Sequence, residues 1–278
     1  MTVMISSGGT LNYSNGVRPE GIFWEYGGEL AQVGDVPIPP FDMAGGIGDP
    51  SNIPQLVQVT DGIARTGTKS LRFYQPPPVK SDAERRVLVR EYSSGTQDMY
   101  FSWWVYFTDS MTTQYSWRTL GGLTLRYGNR AEGAWEYRST IRFAVRGSDE
   151  RICARVDYLF APVLSPPSSD YDEFYSDYTL HDLAGTWAHF QVYYKMSQTP
   201  DGILEAWINN ELITSKTGRI TDPRGDPRWE SEGCYWTYND FPYLSLAIYN
   251  EPTEPECWCY VDDMVLSTEK VPESYGVE

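Results

Sequence analysis

The sequence predicts an all-β protein, an antiparallel two-sheet sandwich of jelly-roll type. Three observations carry this expectation. Short segments of alternating apolar and polar residues recur along the 278-residue chain. Gly (24) and Pro (19) are scattered between them as turn signals. No amphipathic helix of useful length appears. A chain of this length can bury a sizeable core in one domain.

Residues 1–50, rich in Gly, Pro and isolated aromatics, read as an N-terminal arm or edge segment, and residues 51–278 as the jelly-roll domain. The expected strands are SLRFY (70–74), RRVLVREY (85–92), MYFSWWVYF (99–107), GGLTLRY (121–127), YRSTIRFAVRG (137–147) and ICARVDYLF (152–160). WAHFQVYYKMS (187–197), ILEAWINNELI (203–213), YLSLAIYN (243–250) and CWCYVDDMVLS (257–267) follow. SPPSSDYDEFYSDYTLHD (165–182) and roughly 214–240 read as polar loops.

Alternate side chains of a strand point to opposite faces, so each strand can be split into two sets. In 187–197, Ala188, Phe190, Val192, Tyr194 and Met196 suit a core, whereas Trp187, His189, Gln191, Tyr193 and Lys195 carry aromatic and polar chemistry. The same split sets Phe101, Trp103, Val105 and Phe107 against Tyr100, Ser102, Trp104 and Tyr106. It sets Ile141, Phe143 and Val145 against Arg138, Arg142 and Arg146. Val87 and Val89 oppose Arg86, Arg90 and Tyr92, and Leu244, Leu246 and Ile248 oppose Tyr243 and Tyr249. Tyr158 falls in the core-side set of its strand. Arginine forks match carboxylates and aromatic faces stack on flat ligands, so the polar sets predict a glycan-binding groove. Arg142, Gln191, Tyr193 and Trp104 are expected to line it together.

The net charge of -16 argues against a nucleic-acid partner, which needs a basic surface. No apolar run reaches the length of a membrane span, and the first residues lack the basic and apolar regions of a secretory signal. The four cysteines (153, 234, 257 and 259) allow buried thiols, a disulfide or, on weaker grounds, zinc. No cofactor is expected, although Asp170, Asp172, Glu173 and Asp177 could offer oxygen ligands to Ca²⁺.

The order of these segments resembles the concanavalin A-like jelly-roll polysaccharide lyases, especially the family 14 alginate and glucuronate lyases. GGLTLRYGN followed by YRSTIRFAVRG is similar to that family's Gly-Leu-Tyr-Gly-Gly segment and Arg-rich strand. WAHFQVYYKMSQTPDGILEAWINNELI is similar to its Trp-led strand, Asp-Gly turn and Trp-Val-Asn-Gly strand, and YVDDMVLS to its closing strand. The resemblance covers about residues 52–267. It implies that Arg142, in Thr140-Ile141-Arg142, and Tyr158, in Tyr158-Leu159-Phe160, stand where the family has Ser-x-Arg and Tyr-x-Tyr. One phenol of that pair is missing here.

β-Elimination at a uronate needs a neutraliser for the carboxylate, a base for the C5 proton and an acid for the leaving oxygen. Arg142, Arg138 and Gln191 are candidate neutralisers, His189 or Tyr193 candidate bases, and Tyr193 a candidate acid. Trp104, Tyr106, Arg86, Arg90, Arg138, Lys195 and Tyr249 are candidate carbohydrate-binding residues. The incomplete phenol pair and the negative charge put a glycan-binding surface protein first, extracellular or on a virion as a decoration. Its partner would be a polysaccharide or cell-surface glycan, and a homo-oligomer or larger assembly suits that role. The alternative is a lyase cleaving uronate-containing polysaccharide.

Overall fold

Alternation, rather than helix periodicity, organises the chain in space. The computed structural model describes residues 22–29, 31–35, 43–46, 57–75, 85–89, 98–111, 117–127, 137–146, 150–159, 169–195, 203–217, 242–250 and 256–276. Its strands are β1 (Ile22–Tyr26), β2 (Met43–Gly46), β3 (Val57–Thr60), β4 (Ser70–Gln75), β5 (Arg85–Val89), β6 (Asp98–Phe107), β7 (Trp117–Tyr127) and β8 (Tyr137–Arg146). They continue with β9 (Arg151–Leu159), β10 (Ser169–Thr179), β11 (Trp187–Lys195), β12 (Ile203–Ile208), β13 (Glu211–Thr217), β14 (Pro242–Asn250) and β15 (Cys257–Ser267). A single helical turn, α1 (Leu180–Leu183), sits between β10 and β11, held by a capping box in which the Thr179 hydroxyl and the Asp182 carboxylate each accept a backbone N–H of the other.

Two antiparallel sheets result. The back sheet runs β13-β12-β11-β6-β15-β4-β3, with β1 also paired to β15; the front sheet runs β10-β9-β8-β7-β14-β5-β2. The expected all-β jelly-roll sandwich is therefore observed. Phe101, Trp103, Val105, Phe107, Phe190 and Val192 of the back sheet and Ile141, Phe143, Val145 and Val156 of the front sheet share one buried core. Phe143 meets Phe190 edge-on across it, with ring centroids 4.8 Å apart. Leu246 and Ile248 lie on β14, but their side chains fall outside the described residues.

Several local expectations change. The segment read as an acidic loop is mostly β10, an edge strand paired with β9. Its apolar half-face was masked by Asp and Glu in the sequence, yet Phe174 and Tyr178 pack against the core. The single strand expected at 203–213 is a hairpin, β12–β13, turning at Asn209 and Asn210, both with positive φ. Within residues 1–50, read as an arm or edge segment, β1 pairs with β15 and β2 with β5 at the edge of the front sheet. Cys153 is free and buried, with its thiol pushed up to about 12 mainly by burial; Cys257 and Cys259 are buried; Cys234 lies outside the described residues. No helix among the described residues is long and apolar enough to cross a membrane.

Candidate active site

The outward face of the back sheet is largely closed. Trp104, Ser102, His189 and Gln191 alternate with core residues, as expected, yet each is at most 2% exposed. The chain after β15 folds back over them. Gln191 accepts from the Val271 N–H at 2.8 Å and donates to the Val271 carbonyl at 3.4 Å, so its amide matches a backbone unit as a neighbouring strand would. Trp104 stacks on His189 at 4.0 Å, with Arg65 also 4.0 Å from its ring centroid. That guanidinium donates to Asp263 (2.5 Å) and to the Tyr275 and Glu273 carbonyls (2.6 and 2.5 Å), locking the covering segment down. Asp262 accepts from the backbone N–H groups of Arg65 (2.9 Å) and Asp263 (2.8 Å) at a bulge in β15. Burial, with Asp263 beside it, pushes the Asp262 carboxyl well up.

His189 is therefore no open general base. Burial and the nearby Arg65 and Lys270 push its imidazole down to about 3, and it shares a 2.5 Å hydrogen bond with the Ser102 hydroxyl. Tyr193 stacks on Tyr100 at 4.5 Å. Desolvation and its hydrogen bond to Asp98 raise its phenol, the opposite of what a base needs. Lys195 is half-buried at the end of β11, paired in register with Asp98. Tyr106 is half-buried, edge-on to Trp187 and Tyr260.

The expected common groove is divided between the two sheets. Arg142 stands on β8 of the front sheet; Gln191, Tyr193 and Trp104 stand on β11 and β6 of the back sheet. Stacked sheets lie about 10 Å apart with their polar faces turned away from each other, so these sets cannot meet one ligand. Arg86, Arg138 and Tyr249 lie on strands of the front sheet, and Arg90 lies outside the described residues. Tyr158 pairs with Ser139, whereas Arg142 pairs with Arg155 and Thr140 with Asp157. Tyr158 is thus one residue out of step with Arg142.

The front sheet carries a different constellation beside Arg142. Arg155, Cys153 and Arg151 follow one another on β9 at alternate positions, opposite Arg142, Ala144 and Arg146 of β8. From edge strand β10, Glu173 accepts from Arg146 at 2.6 Å and from Arg155 at 3.4 Å. Tyr175 donates its phenol to the other Glu173 oxygen at 2.9 Å. The Arg155 guanidinium lies 3.8 Å from the Tyr171 ring centroid. Tyr171 and Tyr175 are 45% and 46% exposed, so a ligand can reach them. Desolvation and the Glu173 hydrogen bond push the Tyr175 phenol up to about 12. Arg142, Arg146, Arg151 and Arg155 share this face with Glu173 and Asp177, an arginine-rich patch in a chain of net charge -16.

Gly122 fixes the place of Arg142. It pairs with Arg142 beside the positive-φ Gly121, and a Cβ there would stand 2.1 Å from the Ile141 carbonyl oxygen and 2.5 Å from the Arg142 Cα. Only glycine permits that approach. Reading the sequence as a loop missed Tyr171, Glu173 and Tyr175. Their i, i+2 spacing against Phe174 and Ser176 was the available signal. Of the carboxylates offered there to Ca²⁺, Asp172 meets Lys216 at 2.5 Å, Glu173 meets Arg146 at 2.6 Å and Asp177 meets Arg151 at 3.5 Å; the Asp170 side chain lies outside the described residues.

The chain matches the family described as polysaccharide lyase over residues 40–265. It belongs to that family. Among solved structures, the endo-β-1,4-glucuronan lyase of the fungus Trichoderma reesei aligns at 11% identity with a TM-score of 0.59, covering 86% of this chain and 95% of that one. The alginate lyase Aly36B aligns at 14% identity and 0.54, covering 90% and 98%. The marine PL-14 alginate lyase of Aplysia kurodai aligns at 12% and 0.51, covering 78% and 88%. At these identities the likeness speaks for the fold alone. No curated protein sequence matches the chain.

Proposed function

We propose that this polysaccharide lyase family member cleaves a uronate-containing polysaccharide by β-elimination on the outward face of the front sheet. The observation that carries the reading is the arginine-rich, aromatic patch of Arg142, Arg146, Arg155, Tyr171 and Tyr175, set in a strongly acidic chain. Family membership favours this alternative over the non-catalytic decoration role that the sequence put first.

In this scheme Arg142 and Arg155, neighbours across β8 and β9, bind the uronate carboxylate and offset the charge that builds up as the C5 proton leaves. The C4–O bond breaks, its electrons leave with the oxygen, and the C5–H pair becomes the C4–C5 double bond. Tyr171, with the Arg155 guanidinium 3.8 Å from its ring centroid, is assigned the base: as the phenolate it takes the C5 proton and becomes the neutral phenol. Tyr175 keeps its proton at neutral pH and is placed to give one to the leaving oxygen. Glu173 orients Arg146, Arg155 and Tyr175.

The test is incubation with alginate, glucuronan and related polyuronates while following ultraviolet absorbance from unsaturated ends. A steady rise that Arg142→Ala suppresses is the expected result. No rise with any polyuronate overturns the lyase reading.

A further inference from the structure

At one end of the back sheet, beside the segment that covers His189 and with Trp187 packed against the cluster of Trp104, Val271 and Tyr275, the outward face carries a row of rings. Trp187, Tyr106, Tyr260, Arg72 and Gln58 are consecutive register partners across β11, β6, β15, β4 and β3. Each is half-buried, with one side toward solvent, while their strand neighbours Ala188, Val105, Phe107, Val261, Leu71 and Val59 are core. At about 4.8 Å between strands the row is about 19 Å long. Tyr106 stands edge-on to Trp187 at 5.7 Å and to Tyr260 at 6.3 Å, which holds the rings as one rigid platform. The polar groups at its far end are also braced. Arg72 donates to the Gln58 carbonyl oxygen at 2.9 Å, and the Tyr74 phenol donates to Glu256 at 2.8 Å.

We infer that this row is a second, non-catalytic binding site for a neutral, extended glycan chain. Flat apolar sugar faces suit the fixed rings, and sugar hydroxyls suit the planar amide and guanidinium groups beside them. The sign of the surface sets the ligand class. Arg72 is the one cation of the row and Glu256 lies close by, so the row is near neutral, unlike the arginine face on the other sheet. A polyuronate fits the arginine-rich front sheet, whereas this row offers carboxylates a single guanidinium, already bonded to Gln58. A neutral polymer needs no such cation. The two sites would let the protein hold a composite polysaccharide matrix through its neutral strands while a uronate strand occupies the front sheet.

The inference does not depend on turnover, so its test is separate. Migration of the whole protein is measured by affinity electrophoresis in gels containing hydroxyethylcellulose, and in parallel in gels containing alginate. The neutral polymer should retard the protein, and Trp187→Ala and Tyr260→Ala should each weaken that retardation about 3–10-fold. Arg142→Ala should leave it unchanged. Near-ultraviolet circular dichroism checks that each variant is folded, and Tyr260→Ser serves if the Trp187 variant is not. No retardation by hydroxyethylcellulose, or retardation that the folded ring variants keep, overturns the site. Retardation by alginate that depends on these rings overturns the neutral-glycan assignment. Self-association removed by the same substitutions would assign the rings to contact between copies, and would equally overturn it.

Discussion

The outward faces of the two sheets are built from the same kinds of residue and end in opposite states. On the back sheet, Trp104, His189 and Gln191 are sealed beneath the segment that follows β15. On the front sheet, Arg142, Arg155, Tyr171 and Tyr175 keep access to solvent. In the first case Gln191 bonds the covering backbone and His189 bonds Ser102 through Nε2, while the buried His189 Nδ1 has no partner among the described residues. In the second, Arg146 and Arg155 meet Glu173 and Arg151 meets Asp177 on a face that stays open to solvent. A polar aromatic strand face is therefore a functional surface only where nothing in the chain folds over it.

That contrast can be broken most directly at Arg142. Replacing it with alanine should reduce release of unsaturated ends by about 10²–10³-fold, the range for losing a preorganised electrostatic partner, with the melting temperature nearly unchanged. The same loss from His189→Gln, with Arg142→Ala active, would move the chemistry to the back sheet. Gly122→Ala should injure both fold and activity. The added methyl has no room against the β8 backbone, so a destabilisation of about 3 kcal/mol in denaturant titration should accompany loss of turnover.

Gln191→Ala should act on stability alone. It leaves the Val271 N–H and carbonyl without their partner under the covering segment, at a cost of about 1–3 kcal/mol by chemical denaturation. Turnover per folded molecule should stay at the natural level. A lost kcat would show that the two faces are not independent.

The last expected effect is a slope. His189 titrates at about 3 when folded and near its ordinary value when unfolded, so the unfolded chain binds the extra proton first. Stability tied to His189 is complete above about pH 6.5 and is lost as pH falls toward 3. The buried Asp262 and Asp263 act in the opposite sense, because raised folded values make acidification favour the fold. Melting curves for the natural chain and His189→Gln, taken from pH 7 to pH 4, should therefore converge on acidification. Parallel curves would mean that His189 is not the buried titrating group described.

Much of the fold was legible. Alternation in MYFSWWVYF and WAHFQVYYK separated Phe101, Trp103, Phe190 and Val192 from their polar neighbours, and all four are core. The period of two is a local property of the strand, and burial of one face follows from it. The edge strand β10 was not legible, because its outward Tyr and Glu residues and its scattered Asp residues hide a half-face that is completed only by docking on β9.

The sequence by itself determined which residues of a strand share a face, that arginine and aromatic chemistry recurs on those faces, and that the chain resembles jelly-roll lyases. Only the tertiary structure decided that Arg142 and Gln191 belong to different sheets, that the segment after β15 buries His189, and that β10 brings Glu173, Tyr171 and Tyr175 to the arginines. The reason is physical. Which face a side chain takes depends on its nearest neighbours in the chain, whereas sheet membership and covering depend on pairings between residues tens to hundreds of positions apart, whose loop-closure cost and packing gain no local pattern records.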